Sequence, residues 1–168
     1  MNDSRMPEYQ TKLGHTHIKV RDLERALDFY TRFFSMHLVE QVDDAYAFLT
    51  GSEVHHELSL KNEGAGAPTP PENATGLYHV AFEVPNKAAF ARAYQALTGA
   101  GTRVATVDHH ISWAMYFDDP DGNGLEIYCD TRSDPNGAVL WRGENLPLTR
   151  QQILAALESR RLLESPPA

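Results

Sequence analysis

The chain has 168 residues, of which 42% are hydrophobic and 10% aromatic, as expected for a globular domain with its own core rather than for a disordered chain. A formal net charge of −8 argues against binding to nucleic acid or to an acidic membrane, because both attract basic surfaces. The single cysteine, Cys129, excludes an internal disulfide. No apolar run is long enough for a signal peptide or a membrane span, so we expect a cytoplasmic protein.

The first half of the chain predicts a strand, a helix and three more strands in that order. Residues 1–11 are polar, and we expect a loose arm there. From residue 13, polar and apolar residues alternate, which predicts a strand whose polar face carries His15, His17 and Lys19. Asp22 is a good N-cap for a helix that runs to about residue 34. The other predicted segments of this half are strands at 37–41, 46–49 and 55–60 and a Gly/Pro-rich linker at 62–75.

The second half repeats this order. A strand is predicted at 78–84, followed by a helix at 87–97. The other predicted strands lie at 103–107, 114–117 and 125–129, and the segment DDPDGNG is predicted as the hairpin turn between the last two. Each half therefore reads βαβββ, which predicts an α+β domain at 13–130 with two pseudo-symmetric modules at 13–61 and 76–130.

The last part of the chain, residues 131–168, has no counterpart in the repeat. Its beginning is predicted to be irregular, and an amphipathic helix is predicted at 149–163. The apolar stripe of this helix consists of Ile153, Leu154 and Leu157. The stripe is too small to form a core alone, so it packs either on its own domain or on a second copy. Because the predicted sheet also exposes edges, we expect a homodimer.

Two histidines occupy equivalent places in the duplicated sequence. His15 begins HTHIKVRD and His79 begins HVAFEVPN, an offset of 79 − 15 = 64. In both segments a valine follows five residues later and a helix-capping residue seven residues later. Pseudo-symmetric packing of such halves predicts two imidazoles at one metal-binding cleft. Glu126, from the last strand of the second half, would complete two histidines and one carboxylate, the usual ligand set of non-haem iron(II) oxygenases.

Four segments of the chain resemble the vicinal oxygen chelate superfamily: LGHTHIKVRDLERALDFY, VHHELSL, LYHVAFEV and DHHISWAMYFDDPDGNGLEIY. Within it, the chain is most similar to type I extradiol ring-cleaving dioxygenases of the catechol 2,3-dioxygenase kind. The resemblance implies the glyoxalase/bleomycin resistance/dioxygenase fold, with His15, His79 and Glu126 as the metal ligands. It further implies Fe(II), or Mn(II) in its place, and cleavage of a small catecholic substrate by O2 to a muconic semialdehyde-type product.

The resemblance also implies roles for three residues that do not bind the metal. His56 matches the family's distal acid–base histidine, His109 matches the histidine of a DHGVS-like segment, and Tyr116 matches a tyrosine near the substrate. A histidine suits proton transfer in both directions, because its pKa is ordinarily near neutrality. The sequence departs from the family at His110, where the family has glycine, and nearby Trp113 is a second expected influence on the shape of the pocket.

Three other functions are compatible with the same fold. A glyoxalase I-like isomerase or epimerase takes a fourth protein ligand from the first module, and His56 or Glu57 could provide it. A thiol transferase of the fosfomycin-resistance type uses two histidines and a glutamate, but it would leave the set of His56, His109 and Tyr116 without a purpose. A metal-free binding protein of the bleomycin-resistance kind would not need three ligands in register. The sequence therefore favours an extradiol dioxygenase.

Overall fold

The computed structural model describes residues 11–71 and 73–164, so most of the arm predicted at 1–11 lies outside the described residues. The first module consists of β1 (Thr16–Val20), α1 (Leu23–Phe34), β2 (His37–Val42), β3 (Tyr46–Thr50) and β4 (Leu58–Asn62). The second consists of β5 (Val80–Glu83), α2 (Lys87–Gly99), β6 (Ala105–Asp108), β7 (Ser112–Asp118) and β8 (Gly124–Asp130). The extension contributes β9 (Leu146–Pro147) and α3 (Arg150–Glu164).

Each half forms its own sheet, with strand orders β1-β4-β3-β2 and β5-β8-β7-β6-β9. In both sheets the first strand of the module pairs in parallel with the last strand, and the other neighbours are antiparallel. The predicted α+β fold with two sheets and a C-terminal helix is therefore confirmed. Strands β1 and β5 each occupy a sheet edge, and these two edges directly follow the duplicated histidines.

The helix caps lie where the repeat predicts them. The Asp22 side chain accepts a hydrogen bond from the Arg25 N–H at 2.9 Å, and the Asn86 side chain accepts one from the Ala89 N–H at 2.9 Å. Each cap satisfies one of the amide groups that a helix N-terminus leaves without a partner. Both helices bury an apolar stripe against the sheets. Local capping and helical periodicity thus account for the helix starts.

Helix α1 joins the two modules through contacts with the second sheet. The Phe34 ring lies 4.4 Å from that of Phe82 and 6.1 Å from that of Phe117, measured between centroids. The fully buried Tyr30 donates its hydroxyl proton to Asp119 Oδ2 at 3.0 Å. Burial and the charge of Asp119 together raise the pKa of Tyr30. These contacts fix the hairpin turn between β7 and β8 against the first module.

The extension packs on its own domain, which is one of the two arrangements left open by the sequence. Helix α3 lies against α2, and Ile153 is fully buried. The segment predicted to be irregular contains β9, which pairs with β6, so that prediction was wrong for two residues. Ile153 and Leu157 of the apolar stripe thus pack on the core of their own chain, while Leu154 is half-buried, and the stripe gives no support to a dimer. Among the described residues, no helix is long and apolar enough to cross a membrane.

Candidate active site

The second module brings an imidazole and a carboxylate into contact. His79 directly precedes β5, and Glu126 lies in the middle of the neighbouring strand β8. The His79 Nε2 atom is 2.9 Å from Glu126 Oε2. Glu126 is only 8% exposed, a degree of burial that carboxylates rarely show without a partner. The parallel pairing of β5 and β8 therefore positions a half-buried histidine against a buried carboxylate.

Tyr116 and His109 extend this pair into a line of four polar side chains. Tyr116 lies on β7 directly opposite Glu126. Its hydroxyl donates to Glu126 Oε1 at 3.2 Å and lies 2.9 Å from His109 Nε2. Burial, and then the charge of Glu126, raises the pKa of Tyr116 to about 12. Tyr116 is therefore a neutral proton donor at neutral pH, and the line runs from His79 through Glu126 and Tyr116 to His109.

His15 and His56 form a second group in the first module. Their rings are 4.5 Å apart between centroids, and His15 is exposed in front of β1. The Nδ1 atoms of His55 and His56 are 2.9 Å apart. Desolvation, together with the charges of His15 and His55, lowers the pKa of His56. The lowered pKa favours a neutral imidazole at His56, which is the form that accepts a proton.

His56 lies in a loop rather than in a strand, so the strand predicted at 55–60 begins too early. β4 starts at Leu58 because the Glu57 side chain turns back toward the end of β3. Glu57 Oε2 accepts hydrogen bonds from the Gly51 N–H at 2.9 Å and from the Thr50 hydroxyl at 3.2 Å. The Gly51 hydrogen bond is the main cause of a lowered Glu57 pKa. This carboxylate holds the loop that presents His56.

The structure does not bring the two groups together. His15 lines a cleft of about 830 Å³ beside β5 and α2, whereas His79 and Tyr116 line a separate cleft of about 570 Å³. In the described part of the chain, no three His, Cys, Asp or Glu side chains are arranged to hold a metal ion. The predicted ligands thus divide into the pair His79 and Glu126 and the separate His15.

The pair nevertheless has the donor chemistry of a divalent metal site. Two ligand atoms on one ion lie roughly 3 Å apart when bonds of roughly 2.1 Å meet at right angles, and the His79–Glu126 distance is 2.9 Å. The other ring nitrogen, His79 Nδ1, is buried without a hydrogen-bond partner among the described residues. A buried polar atom without a partner is rare in proteins and often marks a functional position. His79 and Glu126 are therefore suitably placed to be two ligands of one ion. A third ligand must come from outside this pair.

Two residues near the predicted pocket have roles that the sequence pattern did not reveal. His110 has a φ of 64°, a left-handed conformation that explains why the related family has glycine there. The Asp108 carboxylate supports this turn by accepting from the His110 N–H at 2.8 Å. Trp113 does not line the two clefts, because it packs in the core between Phe90 and Lys87. Its Nε1 donates to the Asp108 carboxylate at 3.1 Å, and its influence on the shape of the pocket stays a prediction.

The extension contributes two further side chains to the site, which the sequence analysis missed. Asn145 Oδ1 is 2.6 Å from His109 Nδ1, and the Trp141 ring lies 5.5 Å from the His109 ring. The repeat could not reveal them, because the extension has no equivalent in the first module. An aromatic residue, Trp141, in a segment predicted to be irregular was the one available signal.

Comparisons with known proteins show which family the chain is similar to. The family model described as Glyoxalase/Bleomycin resistance protein/Dioxygenase superfamily matches residues 12–127. Catechol-2,3-dioxygenase from Bacillus subtilis (strain 168) is 33% identical over 120 residues, which are 71% of this chain and 42% of that protein. Biphenyl-2,3-diol 1,2-dioxygenase 2 from Rhodococcus globerulus is 28% identical over 135 residues, which are 77% of this chain and 68% of that protein.

A solved structure supports the fold independently. The crystal structure of a glyoxalase/dioxygenase from Nostoc punctiforme has a TM-score of 0.62 and 24% identity, with 77% of this chain and 98% of that chain covered. At this identity the likeness shows the fold alone. The chain spans less than half the length of the Bacillus relative, 42%. Because the family model covers more than half of the sequence, the chain belongs to the Glyoxalase/Bleomycin resistance protein/Dioxygenase superfamily.

Proposed function

We propose that the protein is an iron(II) extradiol dioxygenase that cleaves the ring of a small catechol with O2. One observation carries the proposal: a half-buried histidine and a buried carboxylate continue into a tyrosine and a second histidine, through contacts of 2.9, 3.2 and 2.9 Å. Such a line offers metal ligands at one end and groups that can bind a diol at the other. The names of both curated relatives refer to diol-cleaving or catechol dioxygenases.

In this proposal His79 and Glu126 hold the metal together with His15. Imidazole and carboxylate ligands suit Fe(II), and Mn(II) is the alternative. A bound iron(II) supplies a redox centre at which the diol and O2 meet, since their direct reaction is spin-forbidden. Tyr116 and His109 orient the diol by hydrogen bonds next to Glu126. His56 accepts the proton of a diol hydroxyl and later returns it, which its lowered pKa assists.

We further propose that a second copy completes the site. His15 and His56 are in ring contact at 4.5 Å, so any packing that brings His15 to the pair also brings the proton-transfer residue. Apolar side chains flank both ligand positions, with Leu13 86% and Tyr78 89% exposed. These residues precede the sheet edges β1 and β5, which suits burial between two copies. Completion of the metal site by a second copy therefore favours the expected homodimer, and this argument does not depend on helix α3.

The isomerase alternative depends on a fourth ligand from the first module. Glu57 is held by the Gly51 N–H and the Thr50 hydroxyl, and its withdrawal would break the loop that carries His56. This observation argues against Glu57 as a ligand. A glyoxalase I-like function would then depend on His56 binding the metal, which a direct measurement of iron content can test.

The test is a reaction with catechols in air. The reduced, iron-loaded protein should convert a single-ring or modestly substituted catechol to a yellow semialdehyde, with one O2 consumed per ring. An oxygen electrode and a visible absorbance scan measure the two quantities together. Formation of a muconic acid, or no oxygen uptake with a panel of catechols, would refute the proposal.

A further inference from the structure

The C-terminal extension places the side-chain amide of Asn145 next to His109, the last of the four polar side chains that run from His79 through Glu126 and Tyr116. Asn145 precedes β9, and the β6–β9 register pairs Leu146 with Asp108, so Asn145 and His109 lie at adjacent antiparallel positions. Asn145 Oδ1 is 2.6 Å from His109 Nδ1. The same oxygen accepts a hydrogen bond from Trp141 Nε1 at 3.1 Å, and Trp141 Nε1 also donates to the Glu144 carbonyl at 2.8 Å.

These contacts determine which nitrogen of His109 carries the proton. An indole N–H can only donate a hydrogen bond, so the Asn145 atom facing Trp141 must be the carbonyl oxygen and not the amide nitrogen. That oxygen also faces His109 Nδ1, and an oxygen acceptor requires a proton on Nδ1. A neutral His109 ring then has no proton on Nε2, so the single proton of the Tyr116 hydroxyl, which can rotate, must serve both His109 Nε2 at 2.9 Å and Glu126 Oε1 at 3.2 Å.

Asn145 is itself exposed, and the backbone that carries it is held by buried residues that follow it in the sequence. Leu148 is 4% exposed and Ile153 is fully buried, and the Thr106 hydroxyl donates to the Leu148 carbonyl at 2.7 Å. These contacts attach the extension to β6 directly after Asn145. The segment before Asn145 is less constrained, since Leu140 is 62% exposed. The extension is therefore anchored to the domain from β9 onward, directly after Asn145.

We propose that Asn145 is a positioning residue that, with Trp141, holds His109 in the Nδ1–H tautomer and leaves Nε2 as a proton acceptor toward Tyr116. The catalytic consequence rests on the proposed ring cleavage: an acceptor at Nε2 can take a hydrogen bond from a substrate hydroxyl, whereas the opposite tautomer could only donate there. The tautomer itself does not depend on the reaction, because it follows from hydrogen bonds within the protein.

Nuclear magnetic resonance of the full-length, metal-free protein tests the tautomer directly. Long-range proton–nitrogen correlations of the imidazole rings distinguish Nδ1–H from Nε2–H, and a His109→Gln variant assigns the signals. At a pH where the ring is neutral, the wild type should show Nδ1–H. Asn145→Leu, which keeps the size of the side chain but lacks the acceptor, should shift His109 to Nε2–H. Asn145→Asp keeps an acceptor oxygen and should keep a proton on Nδ1.

Two further variants separate orientation from packing. Trp141→Phe keeps the aromatic ring but lacks the N–H, so the Asn145 amide is free to turn and the Nδ1–H population should fall. Leu140→Ala, in the same segment but without a polar contact to the site, should leave the signals unchanged. A wild-type His109 in the Nε2–H form, an unchanged tautomer in Asn145→Leu, or loss of Nδ1–H in Asn145→Asp would overturn the proposal.

Turnover measurements then connect the tautomer to the reaction. Asn145→Leu should lower kcat about 10–100-fold, as is typical when the partner that orients a functional histidine is removed, and Asn145→Asp should recover most of it. If no catechol is turned over by the wild type, the proposed function fails while the tautomer result still stands. If the wild type is active and Asn145→Leu turns over normally, the positioning role fails instead.

Discussion

Complementation between two inactive variants can establish whether one site is built from two chains. Glu126→Ala removes a proposed ligand of the second module and should lose iron and activity together. His15→Ala removes the proposed ligand of the first module. If a second copy supplies His15, a heterodimer of these variants has one site with both changes and one intact site. Two-fold symmetry therefore predicts about half of the wild-type activity per dimer.

The assay needs a defined heterodimer. Co-expression of the two variants with different affinity tags, followed by two successive purifications, isolates it from both homodimers. Semialdehyde formation and iron content should each reach about half of the wild-type value, while both variant homodimers remain inactive. Two results would contradict the shared site: a heterodimer that is no more active than the parent variants, or a strictly monomeric mass at micromolar concentration. Either result would show that His15 acts within its own chain or not at all.

Two further predictions concern the loop of the first module. His56→Phe should retain iron and lose turnover by about 10²–10⁴-fold, the usual contribution of a general acid–base group; loss of iron in this variant would favour the isomerase with His56 as a ligand. Glu57 has a pKa lowered from 4.5 by the Gly51 hydrogen bond, so its stabilising effect is present above that value and is lost as pH falls through the lowered pKa. Urea unfolding of Glu57→Gln should therefore depend less on acid pH than that of the wild type, and identical pH profiles would contradict this.

The sequence predicted the parts of the fold that depend on local chemistry. Asp22 and Asn86 cap their helices because each side chain reaches an amide three residues ahead. The alternation around Ile18 places that residue in the core at 4% exposure and leaves His17 exposed. Such features are decided within a few residues of the chain, so a single sequence contains the information needed to predict them.

Features that depend on contacts distant in sequence could not be predicted in the same way. The strand at β4 starts later than expected because Glu57 binds the end of β3, and no local pattern indicates that partner. Asn145 reaches His109 across 36 positions of sequence, through a two-residue strand too short to leave a periodic signal. Trp113 was expected near the pocket, yet its position is decided by packing against Phe90.

The division of the predicted metal ligands has a physical origin in the duplication itself. A repeat shows that His15 and His79 are equivalent positions, but equivalence does not specify whether the two halves that meet belong to one chain. Here β1 and β5 are both free sheet edges, and each histidine stands at the start of its edge with an exposed apolar residue nearby. A pseudo-symmetric pairing of modules can then form equally well within a chain or between two chains. His56 is in contact with His15. The chain that supplies the proposed ligand His15 therefore also supplies the proposed proton-transfer residue His56. A heterodimer with one intact site should accordingly show both iron binding and turnover.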